Sequence, residues 1–284
     1  MTATPMLGKP LAERIRAEVA ADVSRLGHVG LATLLVGDNP ASHIYVTRKH
    51  EAAVEAGFDT RDLRLPANTP QEELLALVAG LNADDAIDAV LVQMPLPAQI
   101  DEPTVVRAVA PIKDVDGLHP FNAGHLYLGE PTIVPATPLG IIALLEEHDV
   151  RLEGARAVVV GRSILVGKPV AHLLLKANAT VSICHSRTDD LAHYTRDADV
   201  LVVATGRPGL VPADLVKPGA AVVDVGVNRT DAGLVGDVDP GAAEVAGALT
   251  PVPGGVGPMT IAMLLRNAVR CAEFRRGVVM FPGP

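Results

Sequence analysis

A chain of 284 residues with 49% hydrophobic but only 2% aromatic side chains, and no Trp, has the length for one large or two moderate domains with cores of Val, Leu, Ile and Ala. Its net charge of -9 argues against nucleic acid or an anionic membrane as partner, because neither is attracted to such a surface on average. Cys184 and Cys271, both in apolar stretches, make no disulfide framework; with no apolar signal core in MTATPMLGKPLAERIRAE and no run long enough to span a bilayer, a cytoplasmic protein is expected.

From the N-terminus, Leu11, Ile15, Val19, Val23 and Leu26 recur at helical spacing and predict an amphipathic helix over 9–26, ended by Gly27 and Gly30. Leu31 to Val36 has strand character, and Gly37-Asp38-Asn39-Pro40 turns the chain into a second helix over 41–56, closed by Gly57. A strand over 62–65, a helix over 70–81 and a buried strand over 87–94, stopped by Pro95 and Pro97, continue the alternation. Such alternation predicts a parallel α/β layer for the first third. From Pro111 to Pro138 the chain turns polar and rich in Gly and Pro, the texture of a functional or linking loop. Ile141, Leu144, Leu145 and His148 then mark a helix able to bridge two domains.

The stretch Val160 to Pro169, VGRSILVGKP, follows an apolar run over 157–160 and precedes a helix over 168–176, the order of a phosphate-binding strand–turn–helix. Gly161 and Gly167, lacking Cβ, would let backbone N–H groups at the helix start approach a pyrophosphate. Ser163 stands where the second glycine of G-x-G-x-x-G usually lies, and an ordinary glycine turn satisfies the same pattern. A strand over 179–184 then ends in Cys184-His185-Ser186-Arg187 instead of the carboxylate that reads a ribose 2′-hydroxyl. With Arg162, this offers a hydroxyl and two guanidinium groups to a 2′-phosphate, so NADP rather than NAD is the expected cofactor. Taken alone, Arg187 reads better as a solvated loop arginine. Strands over 200–204 and 221–225 follow, and Thr205, Gly206 and Val227 just beyond them join the cofactor candidates. TPVPGGVGPMT, Thr250 to Thr260, precedes a last helix carrying Ile261, Leu264, Leu265, Ala268 and Cys271. Its Gly254-Gly255 turn is expected to run against a bound ligand, which makes Pro253, Gly254 and Gly255 substrate candidates.

In the second helix Ser42, Tyr45 and Lys49 share one face. Tyr-x-x-x-Lys occurs in short-chain dehydrogenases, but there the nucleotide motif comes first, whereas Lys49 precedes Gly161. In isolation the pair reads as a core tyrosine beside a lysine reaching for solvent. Gln93 lies where a buried strand runs out, the place where α/β folds assemble sites. Asp114 and Asp116, in KDVDG, open the long loop; a solvated acidic turn is the alternative, for Asp114 above all. No metal site is expected.

ASHIYVTRK, VLVQMPLP, KDVDGLHPFNAG, VVVGRSILVGKP and TPVPGGVGPMT, in this order and at these separations, resemble the bifunctional methylenetetrahydrofolate dehydrogenase/methenyltetrahydrofolate cyclohydrolase family, FolD, over most of the chain. The resemblance implies an α/β enzyme of two domains, usually a homodimer, with tetrahydrofolate derivatives bound in a cleft beside a Rossmann-type NADP-binding domain. The folate-binding catalytic domain is expected over 1–138 plus 258–284, with the last helix returning to it, and the Rossmann domain over 139–257. The implied chemistry is oxidation of 5,10-methylenetetrahydrofolate with NADP, then hydrolysis of the methenyl product to 10-formyltetrahydrofolate, within one-carbon metabolism. Lys49 matches the family's catalytic lysine and Gln93 its assisting glutamine. Tyr45 matches a residue lining the folate site, Asp116 the pterin anchor, and Arg162 and Ser186 positions that meet the 2′-phosphate. Met94 replaces a frequent Leu, a volume-conserving change. The alternatives are a dehydrogenase lacking the second activity, a shikimate- or amino-acid-type dehydrogenase, and a non-catalytic dinucleotide sensor.

Overall fold

The computed structural model describes residues 2–231 and 233–283. The chain divides into two compact α/β units, one of Arg14–Val134 with Leu264–Pro284 and the other of Met1–Glu13 with Pro135–Met263. The first residues thus leave the N-terminal unit in which the sequence pattern puts them. Their backbone explains it: β1 (Thr4–Pro5) pairs in parallel with Ala248 and Leu249, at the edge of the other unit's sheet.

After α1 (Gly8–Leu26), β2 (Gly30–Val36), α2 (Pro40–Glu55), β3 (Asp59–Leu65), α3 (Gln71–Ala83) and β4 (Ala89–Val92) form a three-stranded parallel sheet in the order β3-β2-β4. All seven residues of β2 are buried, as a central parallel strand covered on both faces requires. Leu34, Leu74, Val78, Val90, Val92 and Val105 build the core beside it. Because the strands are parallel, β2 and β4 run out at the same edge, where α2 begins and Gln93 follows. Pro40 occupies the first helical position of α2, and Asn39 Oδ1 accepts the Ser42 N–H at 3.2 Å.

Two helices of this unit lie outside the hydrophobic pattern. α4 (Glu102–Ala108) starts where Asp101 accepts the Thr104 N–H at 3.0 Å, with proline in its first turn. The stretch over 111–138 is not one loop, because α5 (Pro120–Tyr127) rises from His119, whose Nδ1 accepts the Phe121 N–H at 3.0 Å. α6 (Ala136–Glu147) begins before the stretch ends and lies wholly within the second unit.

That unit continues as β5 (Arg156–Val160), α7 (Gly167–Lys176), β6 (Thr180–Cys184), α8 (Leu191–Thr195), β7 (Val200–Val203) and β8 (Ala221–Asp224). A short antiparallel hairpin of β9 (Asn228–Thr230) and β10 (Gly233–Val235) precedes β11 (Ala248–Leu249). The six-stranded sheet runs β1-β11-β8-β7-β5-β6, with every pairing parallel. The chain leaves β5 for β6 on one side and returns to β7 and β8 on the other, which makes the carboxyl ends of β5 and β7 the switch point where doubly wound sheets receive ligands.

α9 (Val256–Arg275) begins inside TPVPGGVGPMT, earlier than the spacing of its apolar residues predicts. Its C-terminal part returns to the unit of β2–β4. Asn267 Nδ2 donates to Val115 O (2.9 Å) and Val134 O (2.8 Å). Arg275 and Arg276 meet the two oxygens of buried Asp88 at 2.6 and 2.9 Å. A buried carboxylate held by two guanidinium groups ties the helix to the strand end, since loss of either partner would strand charge out of water. Among the described residues no helix is long and apolar enough to cross a membrane.

Candidate active site

In the unit of β2–β4, α2 and the end of β4 bring Lys49 and Gln93 together. Lys49 is 9% exposed, and its Nζ donates to Gln93 Oε1 at 3.0 Å. Gln93 is itself fixed: its backbone N–H donates to Leu34 O (2.8 Å) and its Nε2 to Met94 O (2.7 Å). With Nε2 committed, only the amide oxygen can face the lysine. Burial lowers the Lys49 pKa, and the Asp116 charge opposes that lowering. Burial pushes the Asp116 carboxyl up to about 6, with Lys49 pulling it down and Asp114 pushing it further up. Lys49 and Asp116 therefore bias one another's charge, and Asp114 adds to the upward shift of Asp116.

Asp114 is not a solvated turn residue. It is buried, and one carboxylate oxygen accepts the His119 N–H (2.8 Å) and Asn122 Nδ2 (2.9 Å). Asn122 also donates to Pro111 O at 2.9 Å and accepts Thr132 Oγ1 at 2.7 Å. Asp114 and Asn122 thereby hold the shape of the loop that presents Asp116. On α2, Ser42 is buried, whereas Tyr45 is 40% exposed.

In the other unit, the glycine loop is closed on itself. A Cβ on Gly167 would stand 2.2 Å from Gly161 O, and one on Gly161 would stand 2.2 Å from Ala204 O, while Gly161 has φ +128°. Both glycines are thus demanded by the chain's own backbone at the switch point. Ser163 has a structural task as well: its Oγ accepts the N–H of Val166 (3.1 Å) and Gly167 (3.4 Å) at the start of α7. Those first amides are already satisfied, and Arg162 and Ser163 lie on the exposed face of the loop. Ser186 and Arg187 are exposed beyond β6, in a turn closed by His185 N–H to Thr188 Oγ1 at 2.9 Å. Val160 pairs with Cys184, so Arg162 and Arg187 follow the ends of neighbouring strands.

Thr205 and Gly206 follow β7, and exposed Val227 follows β8. Pro253, Gly254 and Gly255 belong to this unit, not to the one that holds Lys49. The space behind Gly255 is taken by its own chain, with Thr250 Cβ 2.7 Å and Pro251 O 2.9 Å from where a Cβ would lie. Its missing side chain is explained without a ligand. The sequence pattern gave no notice of two buried carboxylates in this unit, Asp224 and Asp237. Their signal is an acidic residue closing an apolar strand, AVVD, and a second in GDVD. Among the described residues no group of three or more His, Cys, Asp or Glu is placed to hold a metal ion.

Comparison with known proteins connects both units to one family. The profile described as tetrahydrofolate dehydrogenase/cyclohydrolase, catalytic domain, matches residues 6–116, and that of the NAD(P)-binding domain matches 135–276. A protein of Acidiphilium cryptum named bifunctional protein FolD is 56% identical over 279 residues, covering 97% of this chain and 100% of the relative. The crystal structure of the bifunctional enzyme FolD, methylenetetrahydrofolate dehydrogenase/cyclohydrolase, from Campylobacter jejuni superposes with a TM-score of 0.94 at 46% identity, covering 96% of this chain and 99% of that one. The Trypanosoma brucei methylenetetrahydrofolate dehydrogenase-cyclohydrolase, complexed with NADP cofactor and inhibitor, gives 0.92 at 40% identity, covering 98% and 99%.

Proposed function

Because the chain belongs to the tetrahydrofolate dehydrogenase/cyclohydrolase family, we propose that it carries out both reactions of that family, with Lys49 as the acid–base group of the second. The first is NADP-dependent oxidation of 5,10-methylenetetrahydrofolate to 5,10-methenyltetrahydrofolate; the second is hydrolysis to 10-formyltetrahydrofolate. The observation that carries the reading is buried Lys49, hydrogen-bonded to an uncharged amide and electrically coupled to Asp116.

Removing a hydride from the methylene bridge leaves a cation shared between two nitrogens, so this step needs no base and depends on placement. NADP supplies the hydride acceptor. Arg162, Ser186 and Arg187 would hold its 2′-phosphate; their exposed guanidinium and hydroxyl groups at neighbouring strand ends fit that anion. Part-exposed Tyr45 suits stacking on the folate ring system, and Asp116 suits hydrogen bonds to the pterin.

Hydrolysis requires water to attack the cationic carbon, a proton to leave that water and another to reach the departing nitrogen. An amine that is neutral part of the time serves both transfers. Burial moves Lys49 toward that condition and spares the cationic intermediate a fully charged neighbour. Gln93 orients the amine without adding charge.

We also propose a homodimer, supported by β6, the terminal strand of its sheet, with Ile183 and Leu175 exposed on and beside it. Light scattering on the purified protein checks this. The free, buried Cys184 and Cys271 suit a reducing cytoplasm. The functional test is spectrophotometric: methylenetetrahydrofolate with NADP, repeated with NAD, then decay of added methenyltetrahydrofolate. Formation and accelerated decay of the methenyl species, with NADP preferred, are expected. Formation without accelerated decay would leave a dehydrogenase alone, and no turnover would leave a dinucleotide sensor.

A further inference from the structure

None of these steps uses the two buried carboxylates of the second unit, Asp224 at the end of β8 and Asp237 beyond β10. Asp237 is fully buried, and its Oδ2 accepts the Thr205 N–H (2.6 Å), Thr205 Oγ1 (3.0 Å) and the Gly206 N–H (2.8 Å). Its Oδ1 accepts Asn228 Nδ2 at 2.8 Å. Asp224 in turn seats Asp237: it accepts the N–H groups of Gly226 (3.0 Å), Asp237 (2.9 Å) and Val238 (2.9 Å). Its own N–H donates to Thr250 Oγ1 at 2.8 Å. The chain makes room for both. A Cβ on Gly226 would lie 2.2 Å from Asp237 Oδ1, and one on Gly236 would lie 1.8 Å from Asp224 Oδ2.

Burying two neighbouring carboxylates is a costly way merely to tie loops, because each must be stripped of water and they repel one another. Charge-assisted hydrogen bonds do, however, hold geometry more tightly than neutral ones. What Asp237 holds are the segments leaving the carboxyl ends of β7 and β8, on the far side of the switch point from Ser186 and Arg187. A dinucleotide whose 2′-phosphate lies at the β6 end extends across the switch point toward these segments.

We propose that Asp237, seated by Asp224, is a positioning residue for the dinucleotide: it fixes Thr205, Gly206 and the segment from Val227 into Asn228 in the conformation that receives the nicotinamide half. The inference rests on the functional reading above. Because the nicotinamide half is common to NAD and NADP, it predicts weaker binding of both with no change in discrimination, unlike a change at the 2′-phosphate.

The test compares Asp237→Asn and Asp237→Ala with the native protein. It measures KM and kcat with NADP and with NAD, and hydrolysis of added methenyltetrahydrofolate without nucleotide. An amide at this place can offer its oxygen to Thr205 and Gly206 or to Asn228, not to both, so the Asn variant should lose less than the Ala variant. The KM for NADP should rise about tenfold or more in the Ala variant and less in the Asn variant. The NADP-to-NAD preference should hold, and hydrolysis should stay within about twofold, reporting an intact fold. Parallel loss of both activities in the Asn variant would overturn the inference in favour of a general stabilising role. An unchanged KM in a folded variant, or a changed cofactor preference, would overturn it too. Native protein that turns over no methylenetetrahydrofolate with NADP would overturn the underlying reading, and this inference with it.

Discussion

The two units carry their candidate residues in opposite ways. Around β2 and β4 the chemistry lies in side chains taken out of water: Lys49 is buried, its partner Gln93 is fixed by two further hydrogen bonds, and Asp116 feels the lysine's charge. Around β5 to β8 the candidate side chains Arg162, Ser186, Arg187 and Val227 are exposed, and precision lies in the backbone. There Gly161 packs on Ala204, Gly167 on Gly161, and the strand-end loops on Asp237. A buried amine is altered by its surroundings and can exchange protons; an exposed guanidinium keeps its charge and attracts an anion. Substitutions in the first unit should therefore change a rate, and those in the second should change binding or stability.

The largest expected effect is that of Lys49→Met. Hydrolysis of methenyltetrahydrofolate should fall by about 10² to 10⁴, the range associated with a positioned acid–base group, while hydride transfer falls far less. Equal loss of both rates would make Lys49 a shaper of the pocket instead. Next is Gly161→Ala, which puts a methyl against Ala204 O from a backbone at φ +128°. Strain and overpacking together should cost about 2–4 kcal/mol, read as a lower urea midpoint. An unchanged midpoint with a raised KM for NADP would favour the reading in which this glycine exists to let the ligand approach.

The same contrast explains what the sequence conveyed. Helical spacing revealed α1, apolar runs revealed β2 and β5, and the turn residues around it revealed α2, because core-facing side chains and turn chemistry follow the geometry of the element. These signals could not reveal α5, whose start depends on a histidine ring capping a backbone amide, or α4, which is only seven residues long. Lys49, Gln93 and Asp116 were legible as residue types in ordered blocks. The commitment of the Gln93 amide was not, since it depends on the carbonyl of Met94. The glycines have a second reason that sequence does not display: Gly167 and Gly255 carry the marks of ligand approach, and each also faces its own backbone or a neighbouring side chain. Asp237 escaped notice because its partners, Thr205, Gly206 and Asn228, lie in separate loops.

A smaller effect should separate the nucleotide's phosphate from the rest of it. Ser186→Asp puts a carboxylate at the exposed end of β6, where it would repel a 2′-phosphate and accept a hydrogen bond from a ribose hydroxyl. The KM for NADP should rise by about tenfold, as one lost charge-assisted contact implies, while that for NAD holds or falls. The melting temperature should stay put, since Ser186 is exposed. A parallel rise for both nucleotides would move the 2′-phosphate site away from this turn.

The subtlest change concerns the pH dependence of hydrolysis in Asp116→Asn, measured as kcat at saturating substrate so that weakened pterin binding does not enter. Burial lowers the Lys49 pKa and the Asp116 charge raises it, so removing that charge leaves burial less opposed and the lysine loses its proton more readily. The limb of the profile that rises as Lys49 becomes neutral should therefore move to lower pH. In the native protein Asp116 is itself protonated below about pH 6, and there its influence on Lys49 disappears. The two profiles should consequently differ most above that point and converge below it. An alkaline displacement would mean that Asp116 acts on the lysine with the opposite sign, and coincident profiles would confine Asp116 to holding the substrate.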